Sequence, residues 1–323
     1  MTWAQPSRRC AIGLIGGMIA GMSVAHSADD AVVEEPWSRD GLAGTLALPK
    51  RGPARGPAVL ILAGSGPTDR DGNGPLISTD MYRLLAAGLA TNGVRSLRYD
   101  KRGIGGSAAL APREEDVRFD DLVNDAIAAA RDLGARQDVS AVILAGHSEG
   151  GLVAMRAARG FSSAGLVLLT VPGRPLADVL RAQLRAAPLA EDLRDEALRI
   201  TDALARGERV ADVPAELAPV FRPSVQPYLM SMLTIDPRVE LAQLSLPVLL
   251  LFGGRDLQVP PDHRDALARA RPDARVVTVL NANHVLKRAP PDRAGNLTTY
   301  TDRALPLDPG IVPPIVLFVG SVS

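Results

Sequence analysis

Ala141-Val142-Ile143-Leu144-Ala145-Gly146-His147-Ser148-Glu149-Gly150 holds the change of pattern on which the reading of this chain turns. Its first five residues are apolar at successive positions, which suits a short strand buried on both faces. From Glu149 to position 159 the pattern reads as a helix. A turn this abrupt between strand and helix forces Ser148 into a strained backbone conformation. The residues two away on either side must therefore lack bulk, and they are Gly146 and Gly150. G-x-S-x-G alone would arise by accident in roughly one chain in ten of this length. Its seat between a strand and a helix gives it weight.

Working outward, further short apolar runs occupy residues 41–48, 58–63, 94–99, 166–171, 248–252 and 276–280. Amphipathic stretches lie between them. Over residues 76–92, Leu84, Leu85, Leu89 and Ala90 share one stripe, and over 119–134 Leu122, Ala126, Ala129 and Leu133 share another. Strand and helix in alternation predict an α/β fold with a mostly parallel sheet. Residues 173–243 break the rhythm. They hold no convincing strand, but Leu176, Leu180 and Leu184, then Leu193, Ala197, Ile200 and Leu204, recur at helical spacing. Such a helical insertion between two buried strands is expected to cover the sheet edge as a lid. The apolar run at 311–319 is too short to span a bilayer and predicts a packed final helix.

A serine hydroxyl becomes a nucleophile only when a base takes its proton. Of the four histidines, His26 lies near the N-terminus, His147 adjoins Ser148 on a turn that should send its side chain elsewhere, and His263 begins a helix. His284, in a loop directly after the last strand, remains as the base. Its other nitrogen needs a carboxylate to fix the tautomer. Asp256 lies at the carboxyl end of the 248–252 strand, where open α/β sheets place their ligands; Asp262 and Asp265 are nearby alternatives. The oxyanion formed by attack needs donors. The backbone N–H of Glu149 is one by position, and the glycine-rich turn after residues 58–63 should supply the second. The charged trio Asp69-Arg70-Asp71 is expected to order that turn through mutual ion pairs.

Composition removes several rivals. Lys plus Arg and Asp plus Glu number 36 each, and only two Trp, four Tyr and five Phe are present, so neither a basic field nor a base-stacking platform points to nucleic acid. Residues 1–25 carry Arg8 and Arg9, an apolar run from Cys10 to Met22, and Ser23-Val24-Ala25 with small residues at the minus-three and minus-one positions. This predicts a secretory signal peptide cleaved after Ala25, with Ala28 as the alternative, and a periplasmic or secreted protein without a stable membrane anchor. Removing it leaves 34 basic against 36 acidic residues, formally −2, and takes away Cys10, the sole cysteine. Disulfides, a cysteine nucleophile and thiolate metal sites are then excluded. Gly103-Ile104-Gly105-Gly106-Ser107-Ala108 imitates a dinucleotide fingerprint, but no helix is expected after it to receive a phosphate. No cofactor and no metal are implied.

The order Ser148, Asp256, His284 is that expected of the α/β-hydrolase fold. Over nearly its whole length after residue 25 the chain resembles that superfamily. The segments Ala63-Gly64-Ser65-Gly66-Pro67-Thr68-Asp69-Arg70-Asp71-Gly72-Asn73 and Tyr99-Asp100-Lys101-Arg102-Gly103 resemble its serine carboxylesterase and serine-aminopeptidase-like branch. Many relatives carry His-Gly where this chain has Ala63-Gly64. The resemblance implies that Ser65 supplies the second oxyanion N–H, and that residues 26–172 and 244–323 form one core interrupted by the lid at 173–243. It implies a serine hydrolase acting on small-molecule carboxylic esters. Apolar lid residues Leu229, Met230, Met232 and Leu233 would line an acyl pocket. An aminopeptidase with the same triad would instead need a carboxylate for the substrate ammonium, for which Glu191, Asp192, Asp195 and Glu196 are candidates. A hydrolase fold that binds without catalysis is the remaining alternative.

Overall fold

Each of the seven short apolar runs from 41 to 280 forms a strand, with ends shifted by no more than two residues, and the run at 311–319 forms a helix. The computed structural model describes residues 31–323, so the expected signal peptide at 1–25 and its cleavage positions lie outside the described residues. The chain runs through β1 (Val32–Arg39), β2 (Leu42–Pro49), β3 (Gly56–Leu62), the short pair β4 (Asn73–Gly74) and β5 (Ile77–Ser78), and α1 (Met81–Thr91). β6 (Arg95–Tyr99), α2 (Phe119–Gly134), β7 (Val139–His147), α3 (Glu149–Gly160) and β8 (Gly165–Leu169) follow. Then come five helices with no strand between them: α4 (Leu176–Ala186), α5 (Glu191–Ala205), α6 (Ala218–Phe221), α7 (Gln226–Met230) and α8 (Pro237–Ala242). The chain continues through β9 (Val248–Gly253), α9 (Pro261–Ala270), β10 (Arg275–Val279), α10 (Arg293–Thr298) and α11 (Val312–Val322).

Eight strands form one sheet in the order β1-β2-β6-β3-β7-β8-β9-β10. β1 and β2 pair antiparallel, as do β2 and β6; the remaining pairs are parallel. β1 is the strand that the apolar pattern does not announce. Most of its residues are exposed and only Trp37 is buried, as an edge strand paired on one side allows.

Successive side chains leave a strand on opposite faces, so a strand with no polar position must be covered twice. Ala58, Leu60 and Leu62 of β3 join α2 and α3 in one apolar cluster, whereas Val59 and Ile61 join α1 and α11 in the other. β7, β8 and β9 divide in the same way. The predicted stripe of α2 is wholly buried; in α1 Leu85, Leu89 and Ala90 are buried and Leu84 is half-buried. α11 fits closely on the second face: a Cβ added at Gly88 would come 2.7 Å from Val312 Cγ2, and one at Gly165 3.0 Å from Phe318. The helices between β8 and β9 have a cluster of their own, with Ala197, Ile200, Leu204, Phe221 and Leu233 buried in it. No described helix is long and apolar enough to cross a membrane.

Candidate active site

Parallel strands bring their carboxyl ends to one edge of the sheet, and three loops meet there. The first leaves β7. Ser148 has φ 51° and ψ −122°, a conformation costly for any residue with a side chain, held by hydrogen bonds from its N–H to Leu169 O (2.9 Å) and from Gly151 N–H to its own carbonyl (2.9 Å). The flanking glycines leave room rather than bend. Neither has positive φ. A Cβ at Gly146 would lie 2.2 Å from Gly150 O, and one at Gly150 would lie 2.3 Å from Leu62 O.

The second loop follows β9. Gly253 and Gly254 run against the backbone after β10, where added Cβ atoms would meet Ala282 O at 2.4 Å and Leu280 O at 2.5 Å. This contact joins Asp256 to His284, whose Nδ1 donates to Asp256 Oδ2 at 2.8 Å. Oδ1 of Asp256 accepts the N–H groups of Gln258 (2.7 Å) and Val259 (2.9 Å). Burial alone would raise this carboxyl's pKa; the His284 ring and the three hydrogen bonds outweigh it, so the net shift is downward. The alternatives serve elsewhere, Asp262 pairing with Arg174 and Asp265 with Arg264.

The third loop follows β3. Ser65 lines the same cavity as Ser148 and His284, and a Cβ on neighbouring Gly64 would lie 3.2 Å from Ser148 Cβ. Glu149 is the first residue of α3, where a backbone N–H has no intrahelical acceptor. Lys101, at the end of β6, carries more of this loop's order than the sequence suggests. Its Nζ donates to Gly64 O (2.5 Å) and Gly66 O (2.7 Å), on either side of Ser65. Burial lowers its pKa, opposed by the charge of Glu149.

The charged trio works differently from expectation. Its side chains form no ion pair with one another. Arg70 bonds Asp100 (2.6 Å), Asp71 accepts from Arg98 (2.8 Å), and Asp69 Oδ1 accepts the N–H groups of Asp71 and Asn73. The partners sit on and just after β6, so the loop is tied to the sheet. The dinucleotide-like segment is also tied down: Gly106 N–H donates to Asp100 Oδ2 (2.8 Å), and a Cβ on Gly105 would meet that carboxylate at 2.4 Å.

The cavity above these loops holds about 500 Å³. Leu152 and Leu122 form its floor side, and Leu176, Val179 and Leu180 of α4 lie on the wall given by the insertion. Of the four apolar residues expected there, Leu229 and Met232 line the cavity; Leu233 is buried in the insertion's own cluster and Met230 packs against it. Glu191, Asp192, Asp195 and Glu196 do not line it, and Glu196 pairs with Arg199. Polar ties join the insertion to the core at both ends: Gly173 N–H and Arg174 bond His263 and Asp262 at its start, and Arg222 Nε to Glu114 (2.8 Å), Tyr228 Oη to Glu149 Oε1 (2.7 Å), Phe119 N–H to Ser231 Oγ (2.9 Å) and Arg159 to Glu240 (2.8 Å) follow toward its end.

His147, set aside in the sequence as pointing away from Ser148, does so and is buried. Its ring lies 4.8 Å, centroid to centroid, from that of His284. His263 Nδ1 accepts the N–H of Gly173 (2.9 Å). The sequence reading passed over Tyr82 and Lys101. Parity along β7 is the available signal for Tyr82, since Ile143, Ala145 and His147 face the same side, where α1 lies.

Comparison with known proteins agrees with this architecture. Esterase EstD of Thermotoga maritima is 31% identical over 260 residues, which cover 78% of this chain; the chain spans 60% of that protein's length. Among solved structures, Est1E of Butyrivibrio proteoclasticus with ferulic acid bound has a TM-score of 0.54 at 21% identity, over 82% of this chain and 94% of that one. The esterase RhEst1 of a Rhodococcus species has a TM-score of 0.53 at 20% identity, over 91% and 100%. At these identities the two structures speak for the fold. The profile of the alpha/beta hydrolase family matches residues 59–294, from β3 through the elbow at Ser148 to the loop beyond His284, and the chain belongs to that family.

Proposed function

We propose that this protein is a serine hydrolase that cleaves carboxylic esters of small to medium acyl groups through an acyl-enzyme intermediate. The observation that carries the reading is the 2.8 Å bond from His284 to Asp256 beside a serine held at φ 51° in the same cavity. In this reading Ser148 Oγ attacks the ester carbonyl while His284 Nε2 takes its proton. Asp256 holds the ring in the Nδ1–H tautomer and stabilises the imidazolium. The N–H groups of Ser65 and Glu149 bind the oxyanion. The proton then passes from His284 to the departing alkoxide, and water, deprotonated by the same ring, releases the acid.

Residues 173–243 act as a lid over this site, with residues 26–172 and 244–323 as the core. The apolar walls suit an acyl chain, and the similarity to an esterase supports an ester over an amide. Residues 1–25 support export to the periplasm or medium.

Turnover of p-nitrophenyl esters of increasing acyl length tests the proposal, with labelling by a fluorophosphonate. Ser148→Ala should lose about 10⁴- to 10⁶-fold in kcat and all labelling while keeping its fold. Faster cleavage of aminoacyl arylamides than of esters would replace the esterase with the peptidase, and a folded protein inert to the probe would leave a binding protein.

A further inference from the structure

Three buried hydrogen bonds run beneath Ser148 and join the two sides of the site. Gly64 N–H donates to Tyr82 Oη at 2.8 Å, Tyr82 Oη lies 2.9 Å from His147 Nδ1, and His147 Nε2 lies 2.8 Å from the carbonyl of His284. Chemistry fixes the direction of each. A carbonyl can only accept, so Nε2 of His147 carries a hydrogen. The ring is fully buried, and desolvation first, then the nearby His284, push its pKa down to about 3. A neutral ring protonated at Nε2 is bare at Nδ1, so the tyrosine hydroxyl donates there and receives Gly64 on its oxygen. No donor in the series is spare, and no acceptor is doubled.

The ends of this chain are the two places that the reaction needs fixed. Gly64 precedes Ser65 in the oxyanion loop, and the His284 carbonyl belongs to the residue whose ring moves the proton. We infer that Tyr82 and His147 are positioning residues that hold the oxyanion loop and the backbone of the catalytic histidine at a set separation across Ser148. The inference rests on the hydrolase reading above. His147 acts without titrating. A neutral ring 4.8 Å from that of His284 leaves the imidazolium of the acyl-transfer step unopposed. Lys101 complements this from the cavity side, because it holds the carbonyls of Gly64 and Gly66 while Tyr82 holds the Gly64 N–H.

Steady-state kinetics of Tyr82→Phe, His147→Gln and His147→Leu on a p-nitrophenyl ester test the inference, at a temperature where melting curves show each variant folded. Tyr82→Phe removes the hydroxyl and keeps the ring. Its kcat should fall about 10- to 100-fold with KM within about twofold, since misplacement acts on the transition state rather than on binding. His147→Gln, which retains a donor for the His284 carbonyl, should keep at least about tenfold more kcat than His147→Leu. A folded Tyr82→Phe with kcat within about twofold of the parent would overturn the inference. Nitrogen-15 NMR of the unmodified protein gives a readout independent of variant folding: His147 should appear neutral and protonated at Nε2 from pH 5 to 8. The Nδ1–H tautomer or a charged ring would overturn the inference. A parent without ester turnover or probe labelling would remove the hydrolase reading and the positioning role with it. An active parent with an unaffected Tyr82→Phe would remove the positioning role alone.

Discussion

Replacing Gly150 with alanine puts a methyl group where the backbone of β3 already stands. The new Cβ would lie 2.3 Å from Leu62 O and 2.6 Å from Ala63 O, whereas ordinary carbon–oxygen contact begins near ~3.3 Å. Both obstacles are main-chain atoms, so no rotamer change relieves them, and the start of α3 must move about 1 Å away from β3. Overpacking costs typically 1–3 kcal/mol when side chains can give; here they cannot, so about 3 kcal/mol is expected. Alanine regains roughly 0.5–1 kcal/mol by its helix propensity. The net loss of about 2–2.5 kcal/mol lowers the melting temperature by about 3–4 °C for a chain of this size. An elbow displaced by that distance should also cost about 100-fold in kcat. Thermal melts by circular dichroism and ester turnover at 25 °C provide the assay. Gly320→Ala on α11, where an added Cβ meets nothing within 4 Å, is the control, expected to be neutral or slightly stabilising. A Gly150→Ala protein melting with its parent and keeping most of its kcat would refute the claim that this glycine is required for space.

Asp256→Asn would turn an amide donor toward His284 Nδ1 and drive the ring to the wrong tautomer, with kcat falling about 10⁴-fold. Asp262→Asn should remain within about twofold of the parent, because that carboxylate serves Arg174; equal losses in the two variants would reject Asp256 as the orienting acid. Acid stability reports on His147. Its folded pKa of about 3 lies below the ordinary 6.5, so the unfolded chain binds the proton first and stability falls as pH drops from about 7 toward 3. The loss at pH 5 should be about 2 kcal/mol relative to pH 8, seen as a lower denaturant midpoint; a midpoint flat over that range would contradict it.

Much of the fold was legible because β3, β7, β8 and β9, covered on both faces, are written as nearly unbroken apolar runs, whereas β6 carries Arg95, Ser96 and Arg98 among its residues. β1 was not legible. It is an edge strand with one buried side chain, and pairing with β2 rather than burial makes it a strand. Ser148, Asp256 and His284 could be singled out as candidates because each follows a strand end and few residues compete for each role, and the fold sets Ser148 and His284 on one cavity with Asp256 bonded to His284. The supports around them were hidden. Tyr82 meets His147 across 65 positions, and Lys101 reaches Gly64 across 37, contacts that only the tertiary structure creates. The trio at 69–71 misled for the same reason: Arg70 and Asp71 found partners just after and on β6, and Asp69 found backbone N–H groups.

The way the helices between β8 and β9 are attached has a consequence for ligand size. Most polar ties to the core fall between Arg222 and Glu240, with Gly173 and Arg174 tied to α9 before α4 begins, and α8 rests against α3 and α9. α4 rests mainly on α5, and α5 on α7. Leu122 and Leu152 belong to the sheet's own core and Leu176 packs against it, so their side of the cavity is the stiffer one, whereas Val179 and Leu180 lie farther along α4, on a helix that rests mainly on α5. A guest too long for the resting shape should be accommodated by displacement of α4 and α5 rather than of the sheet. Substitutions along α4 can therefore retune which chain lengths fit without disturbing the machinery beneath, giving the protein one adaptable wall and one invariant one.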